Sequence, residues 1–327
     1  MSRSRIIIDT DPGVDDAAAI WLALASPEIE VLGISVVAGN VGLDASVTNA
    51  LKVVALAGRD KIGVYAGAAQ PLIREQVLGK YAHIGAFPDA LVPPTDLQPQ
   101  NQSAVSFIAQ TARAAAQAKE KITICALGPL TNLALALRLH PEVAQGIDCI
   151  IAMGGAFAEM GHRTPWSEYN VHADPHAAQI VWNSGVPLVL APLDVTMQAL
   201  FAQDDLSALE AHGHAPGSAL AGLLRCYDRG DLARYGREGG PIHDAMTIAY
   251  LINPKLFSGR DMAVGVTTCG PTAGQTWADF HARSSLPAQA LVLNHVDEAA
   301  YRLLLTSRIA ALEAGSNSHP EPTEITP

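Results

Sequence analysis

Short β-branched runs alternate along this chain with longer alanine- and leucine-rich segments, and few folds tolerate that rhythm. RIIID, EVLGISVV, KIGVYA, KITICAL, DCIIAM, VPLVLAPL, MAVGVTT and QALVLNHV read as strands. Between most of them lie stretches with helical spacing, among them DDAAAIWLALAS, ASVTNALKVVALAG, SAVSFIAQTARAAAQA and TNLALALRLHP. Strand-then-helix order returns each strand parallel to the last, so the pattern predicts an α/β fold: one mostly parallel, doubly wound open sheet with helices on both faces. Ser46 to Gly58 shows how the boundaries are set, with a polar start, apolar residues at helical spacing and a glycine stop. No Pro-, Gly- and Ser-rich linker separates two self-sufficient halves, so residues 1–314 read as a single domain. Ala202 to Gly240 is helical and more polar, and is expected to form a lid beside the sheet. The tail from Gly315 to Pro327 lacks apolar anchors and is expected to be disordered.

With 327 residues, 49% of them hydrophobic and 16% charged, the chain can bury a large core without disulfide or metal staples. A formal charge of −11 and no basic stripe argue against nucleic acid as a partner. Cys125, Cys149, Cys226 and Cys269 lie far apart with no CxxC spacing, which fits a reducing cytoplasm. No stretch reaches the length of a membrane span, and the N-terminus lacks the apolar segment of a secretory signal.

The most informative local feature is RIIIDTDPGVDDAAAIW. It places Asp9, Asp11, Asp15 and Asp16 on a strand end, a turn and the first turn of a helix. Helix capping accounts for one or two of these carboxylates, since acidic side chains at a helix N-terminus gain about 0.3–1 kcal/mol each from the dipole. Asp11 is not explained that way. Its charge would repel Asp15 and Asp16, and no Lys or Arg occurs between Arg5 and Lys52 to offset it. A hard divalent cation, Ca²⁺ or Mg²⁺ in preference to zinc, satisfies an all-oxygen cluster. Doubly wound sheets bind ligands at the carboxyl ends of their strands. There the sequence sets AGN with Asn40, LGPLTN with Leu127, MGG with Met153, then EYN with Glu168 and Asn170, and HDAMTIAYLI with His243 and Asp244.

Taken in this order, DTDPGVDDA, AGN, LGPLTN, MGG with EYN, and HDAMTIAYLI resemble the ribonucleoside hydrolases of the inosine–uridine-preferring type; PTAGQTWAD is similar to that family's late strand-turn signature. The resemblance runs from Arg5 to about Leu305. It implies a Ca²⁺ ion held by Asp11, both oxygens of Asp16, the Leu127 carbonyl and Asp244, with water and the ribose diol completing the shell. It implies that Asp11 is the general base toward a water on that ion, and that Asp15, Asn40, Glu168 and Asn170 bind the ribose hydroxyls near Met153. His243 becomes the general acid toward the leaving base, and Tyr235 a stacking partner for it. The implied reaction is hydrolysis of uridine, cytidine or inosine to ribose and free base, through an oxocarbenium-like transition state. The implied assembly is a homodimer or homotetramer.

Two positions depart from the family pattern. His83 lies in HIG where the family usually has a His-Gly pair in a loop. His162 stands where it usually has an asparagine that binds the sugar's 5′-hydroxyl. Histidine before Asp244, in place of a stacking tryptophan, resembles the inosine–uridine and pyrimidine-preferring members. Two other readings stay open from sequence: a Mg²⁺-dependent aspartate-nucleophile phosphatase using Asp9 and Asp11, and a non-catalytic riboside-binding protein on the same scaffold.

Overall fold

The computed structural model describes residues 3–80, 82–227, 236 and 238–313. The expected tail, Gly315 to Pro327, lies outside them. The first unit is strand β1 (Ser4–Thr10), helix α1 (Val14–Leu24) and strand β2 (Ile29–Val36). Helix α2 (Leu43–Leu56), strand β3 (Val64–Ala66), helix α3 (Ala104–Gln117), strand β4 (Ile122–Ala126), helix α4 (Thr131–Leu139) and strand β5 (Ile147–Met153) follow. Helices α5 (Tyr169–Ala173) and α6 (Pro175–Trp182) lead into β6 (Leu188–Ala191). The remaining strands are β7 (Leu200–Phe201), β8 (Gly240–Pro241), β9 (Phe257–Met262), β10 (Val264–Val266), β11 (Thr276–Ala278) and β12 (Ala290–Val296).

Eight strands form one sheet in the order β3-β2-β1-β4-β5-β6-β12-β9, parallel throughout except for β9 against β12. The winding direction reverses between β1 and β4, and a crevice opens at their carboxyl ends, the usual ligand position of such a sheet. In β1 the side chains of Ile6 and Ile8 enter one core and that of Ile7 the other, because successive residues of a strand face opposite ways. The Ile6 face is covered by α1, α2, the helix Ala245–Ile252 and the C-terminal helix Glu298–Ala310, and the Ile7 face by α3, α4 and α6.

Three sequence expectations are corrected. MAVGVTT does not join the main sheet; Val264–Val266 pairs antiparallel with β11, and the eighth strand is the preceding β9. FSGRDM escapes a hydrophobic reading because an edge strand alternates exposed polar residues with partly buried ones. The helix expected from Ser46 begins at Leu43, while Gly58, at φ 61°, does end that segment. Most of the expected lid is instead part of the helical layer: Gln203–Glu210 and Ala215–Cys226 bury Leu209, Leu220 and Leu223 beside α1 and the C-terminal helix. Among the described residues no helix is long and apolar enough to cross a membrane.

Candidate active site

The floor of the crevice is made where β1 ends. Pro12 and Gly13 turn the chain, and α1 starts with Asp15 and Asp16 in its first turn. Asp16 is fully buried, accepting hydrogen bonds from the Thr10 hydroxyl at 2.6 Å and the Gly13 amide at 2.9 Å. It therefore does cap the helix, as the plainer reading held, and it also reaches a partner that capping does not need. Asp244, at the start of the helix Ala245–Ile252, brings a carboxylate beside it. One oxygen from each of Asp15, Asp16 and Asp244 lies within 4.8 Å of the others.

Asp11 stands next to this group. Its Oδ2 accepts the Asn40 amide at 2.6 Å, and the Asn40 side-chain amide donates to the Asp11 carbonyl at 3.2 Å. Gly39 and Gly128 flank the carboxylate so closely that a Cβ on either would overlap its oxygens. Burial holds the Asp11 carboxyl well above the usual carboxylate range, and Asp16 and Asp15 push it further. Asp244 is raised by burial and then by Asp15, Asp16 and Asp11. None of the ion pairs among the described residues reaches Asp11, Asp16 or Asp244. Crowded, buried, all-oxygen donors without a cationic partner fit a hard divalent ion and suit neither zinc nor a soft metal.

Two supports under this floor escaped sequence reading. Asp9 is buried and raised to about 6 by its burial, although the Ser35 hydroxyl and the Asn132 amide, at 2.9 Å, donate to it. Asn132 also donates to the Val36 carbonyl at 3.2 Å and accepts the Ala68 amide at 2.8 Å, joining the ends of β1, β2 and the chain after β3. Asn49 donates to the Pro12 carbonyl at 2.9 Å and accepts the Phe87 amide at 2.7 Å, tying the acidic turn to the loop before it. Asn132 belonged to the quoted LGPLTN; Asn49, inside a helical pattern, gave no signal.

The far wall comes from β5 and α5. Glu168 caps α5, accepting the amides of Asn170 at 2.7 Å and Val171 at 3.0 Å, yet burial still raises it to about 7. The Asn170 amide bridges two strand ends, donating to the carbonyls of Leu127 at 2.6 Å and Met153 at 3.1 Å. His162 Nε2 accepts the Tyr169 amide at 3.3 Å and lies 3.8 Å from Glu168, with its ring centroid 5.7 Å from that of His243. The Thr196 hydroxyl is 2.8 Å from His243 Nδ1 and fixes that ring.

These pieces enclose a cleft of about 660 Å³ lined by Asp15, Asn40, Leu127, Met153, His162, Glu168, Asn170, His243 and Asp244, with Asp11 and Asp16 buried in its floor. Asp15 stands with the metal-binding candidates, whereas the resemblance assigned it to the sugar. His83 is exposed on a short 3₁₀ turn, Ala82–Ile84, and does not line the cleft; Gly85 does. Tyr235 lies outside the described residues. Tyr227, equally well read from sequence as a core residue, is buried and lines the cleft.

Comparison with known proteins agrees with the geometry. The sequence model of the inosine-uridine preferring nucleoside hydrolases matches residues 6–302. The pyrimidine-specific ribonucleoside hydrolase RihA of Escherichia coli is 40% identical over 308 residues, 93% of this chain and 97% of that protein. A purine-preferring ribonucleoside hydrolase from Gardnerella vaginalis superposes with a TM-score of 0.86 at 29% identity, covering 95% of this chain and 99% of the other. A plant nucleoside hydrolase superposes with a TM-score of 0.84 at 30% identity, covering 94% and 99%. The family match takes in nearly the whole fold and every carboxylate of the floor, and it displaces the phosphatase and non-catalytic readings: the chain belongs to the inosine-uridine preferring nucleoside hydrolase family and is an enzyme that hydrolyses the N-glycosidic bond of ribonucleosides.

Proposed function

We propose that this enzyme is a Ca²⁺-dependent hydrolase of pyrimidine ribonucleosides, with uridine and cytidine ahead of inosine. The observation that carries the reading is the convergence of Asp15, Asp16 and Asp244 beside a buried Asp11 on the cleft floor. Asp11, Asp16, Asp244 and the Leu127 carbonyl would hold the ion, with Asp15 adjoining them. When bound, the ion supplies a fixed positive charge that grips a sugar diol and makes a neighbouring water more acidic.

Asp11 accepts the proton of the attacking water. Its placement against the Asn40 amide and between two glycines fixes where that oxygen can stand, so positioning contributes more than basicity. Asn40, Glu168 and Asn170 present donors and acceptors to the ribose, and the surrounding carboxylates stabilise positive charge developing at the anomeric carbon. His243, oriented by Thr196, gives a proton to the departing base. The preference for pyrimidines rests on the greater identity to the pyrimidine-specific enzyme, 40% against 29% for the purine-preferring one.

Reducing-sugar release from uridine, cytidine and inosine, before and after chelation and with Ca²⁺ restored, tests the reading. Release on pyrimidine nucleosides that chelation stops and Ca²⁺ restores is expected. Undiminished turnover after chelation ends the Ca²⁺ reading, and faster release from inosine than from uridine ends the pyrimidine preference.

A further inference from the structure

The cleft has a basic rim opposite its acidic floor. Lys80 and Arg163 both line it, and Arg163 directly follows His162. Arg163 is exposed and takes part in none of the ion pairs found among the described residues. Behind it the Arg74 guanidinium donates to the His172 carbonyl, close enough to Arg163 for each positive charge to act on the other. A chain with 21 basic against 32 acidic side chains has gathered like cations on one edge of its principal cleft. These cations do not neutralise the floor: the groups acting on Asp11 and Asp244 include the neighbouring aspartates and no Lys or Arg. Another anion is needed to account for them.

The substrate's shape says where that anion would sit. A ribose with its diol on the carboxylate floor and its base toward His243 has one substituent left, on the 5′ carbon, and it faces the wall of His162. A hydroxyl there needs one donor and one acceptor, whereas a guanidinium, an ammonium and an imidazole together match a phosphate. We propose that Lys80, His162 and Arg163 form a subsite for an anionic group on the 5′ carbon of the ribose, so that ribonucleoside 5′-monophosphates are substrates beside the nucleosides. The proposal rests on the placement of the sugar under the function proposed above. In the step, the oxygen of water bonds to C1′ as the C1′–N bond breaks. The electron pair leaves with the base nitrogen, which takes up a proton; the water gives up a proton to Asp11. Ribose 5-phosphate departs with its phosphate ester intact, and no other reactant is consumed.

The test is competition by ribose and by ribose 5-phosphate against uridine hydrolysis, with turnover of uridine 5′-monophosphate measured in parallel. Ribose 5-phosphate is expected to inhibit about 10- to 100-fold more tightly than ribose, as one or two charge-assisted hydrogen bonds allow. Arg163→Ala and Lys80→Ala are each expected to cut that ratio by about tenfold, with Arg163→Lys recovering part of it. Equal inhibition by the two sugars, an unchanged ratio in the Arg163→Ala/Lys80→Ala double variant, or inhibition by inorganic phosphate as strong as by ribose 5-phosphate would each overturn the subsite. Calorimetric titration of both sugars into the Ca²⁺-loaded protein reads the same ratio without turnover, so loss of the subsite is distinguishable from failure of the nucleoside hydrolase reading.

Discussion

The floor and the rim of the cleft are built in opposite ways. The floor is strand ends and helix starts: Asp11, Asp16 and Asp244 are almost wholly buried, and backbone amides, a hydroxyl and flanking glycines hold them. The rim is loop, with Lys80, Arg163 and Tyr227 coming from segments far apart in the chain. A floor placed by the sheet can hold charges in one geometry whether or not a ligand is bound. A rim of long, exposed side chains can change what is admitted without disturbing the chemistry beneath. Catalytic power is therefore expected to fail at the floor and selectivity at the rim.

The largest effect should come from Asp11→Asn, which keeps the shape and removes the base: kcat for uridine should fall by roughly 10³-fold. Its melting temperature should hold or rise, because one of several mutually repelling buried carboxylates is gone. A stability loss of several degrees would mean Asp11 is structural. Next in size is Gly39→Ala. Its Cβ would displace the Asp11 carboxylate, and a shift near 1 Å should cost about 100-fold in kcat with the fold retained; wild-type turnover in that variant would show that the carboxylate's position is not tightly set.

Glu168 gives a pH-dependent comparison. Its folded carboxyl is raised from 4.5 to about 7, so the folded chain binds the proton more tightly than the unfolded chain. The associated stability is present at low pH and is lost as pH rises from about 4.5 through 7, by up to about 3 kcal/mol. Thermal melts of chelator-treated protein should show this decline, and Glu168→Gln should flatten it; the same slope in both would remove Glu168 as its source. The smallest effect belongs to the exposed His83, whose replacement by Ala should change kcat and KM by no more than roughly twofold.

The same contrast explains what could be read from sequence. The floor was legible because strand, turn and helix are consecutive in RIIIDTDPGVDDAAAIW, so the local pattern already places Asp11 and Asp16 at a strand end. Asp244, Asn40 and Leu127 were reached through the rule that a doubly wound sheet gathers ligands at its strand ends. Asn49 was not legible, since its value lies in joining Pro12 to Phe87, a contact made only when the helix docks. Nor was β9, a polar edge strand placed by β12 more than by its own periodicity. His83 shows the converse: a histidine in the expected stretch of chain whose loop turns its backbone outward.

Titration of Ca²⁺ into chelator-treated protein, wild type beside Asp244→Asn, tests the convergence of the floor carboxylates most directly. One ion should bind per chain with release of protons, since the carboxyls it engages are raised by their neighbours, and Asp244→Asn should weaken binding by at least about tenfold. Binding of equal strength in both proteins, or none in either, would contradict a dication held at the ends of β1 and β4.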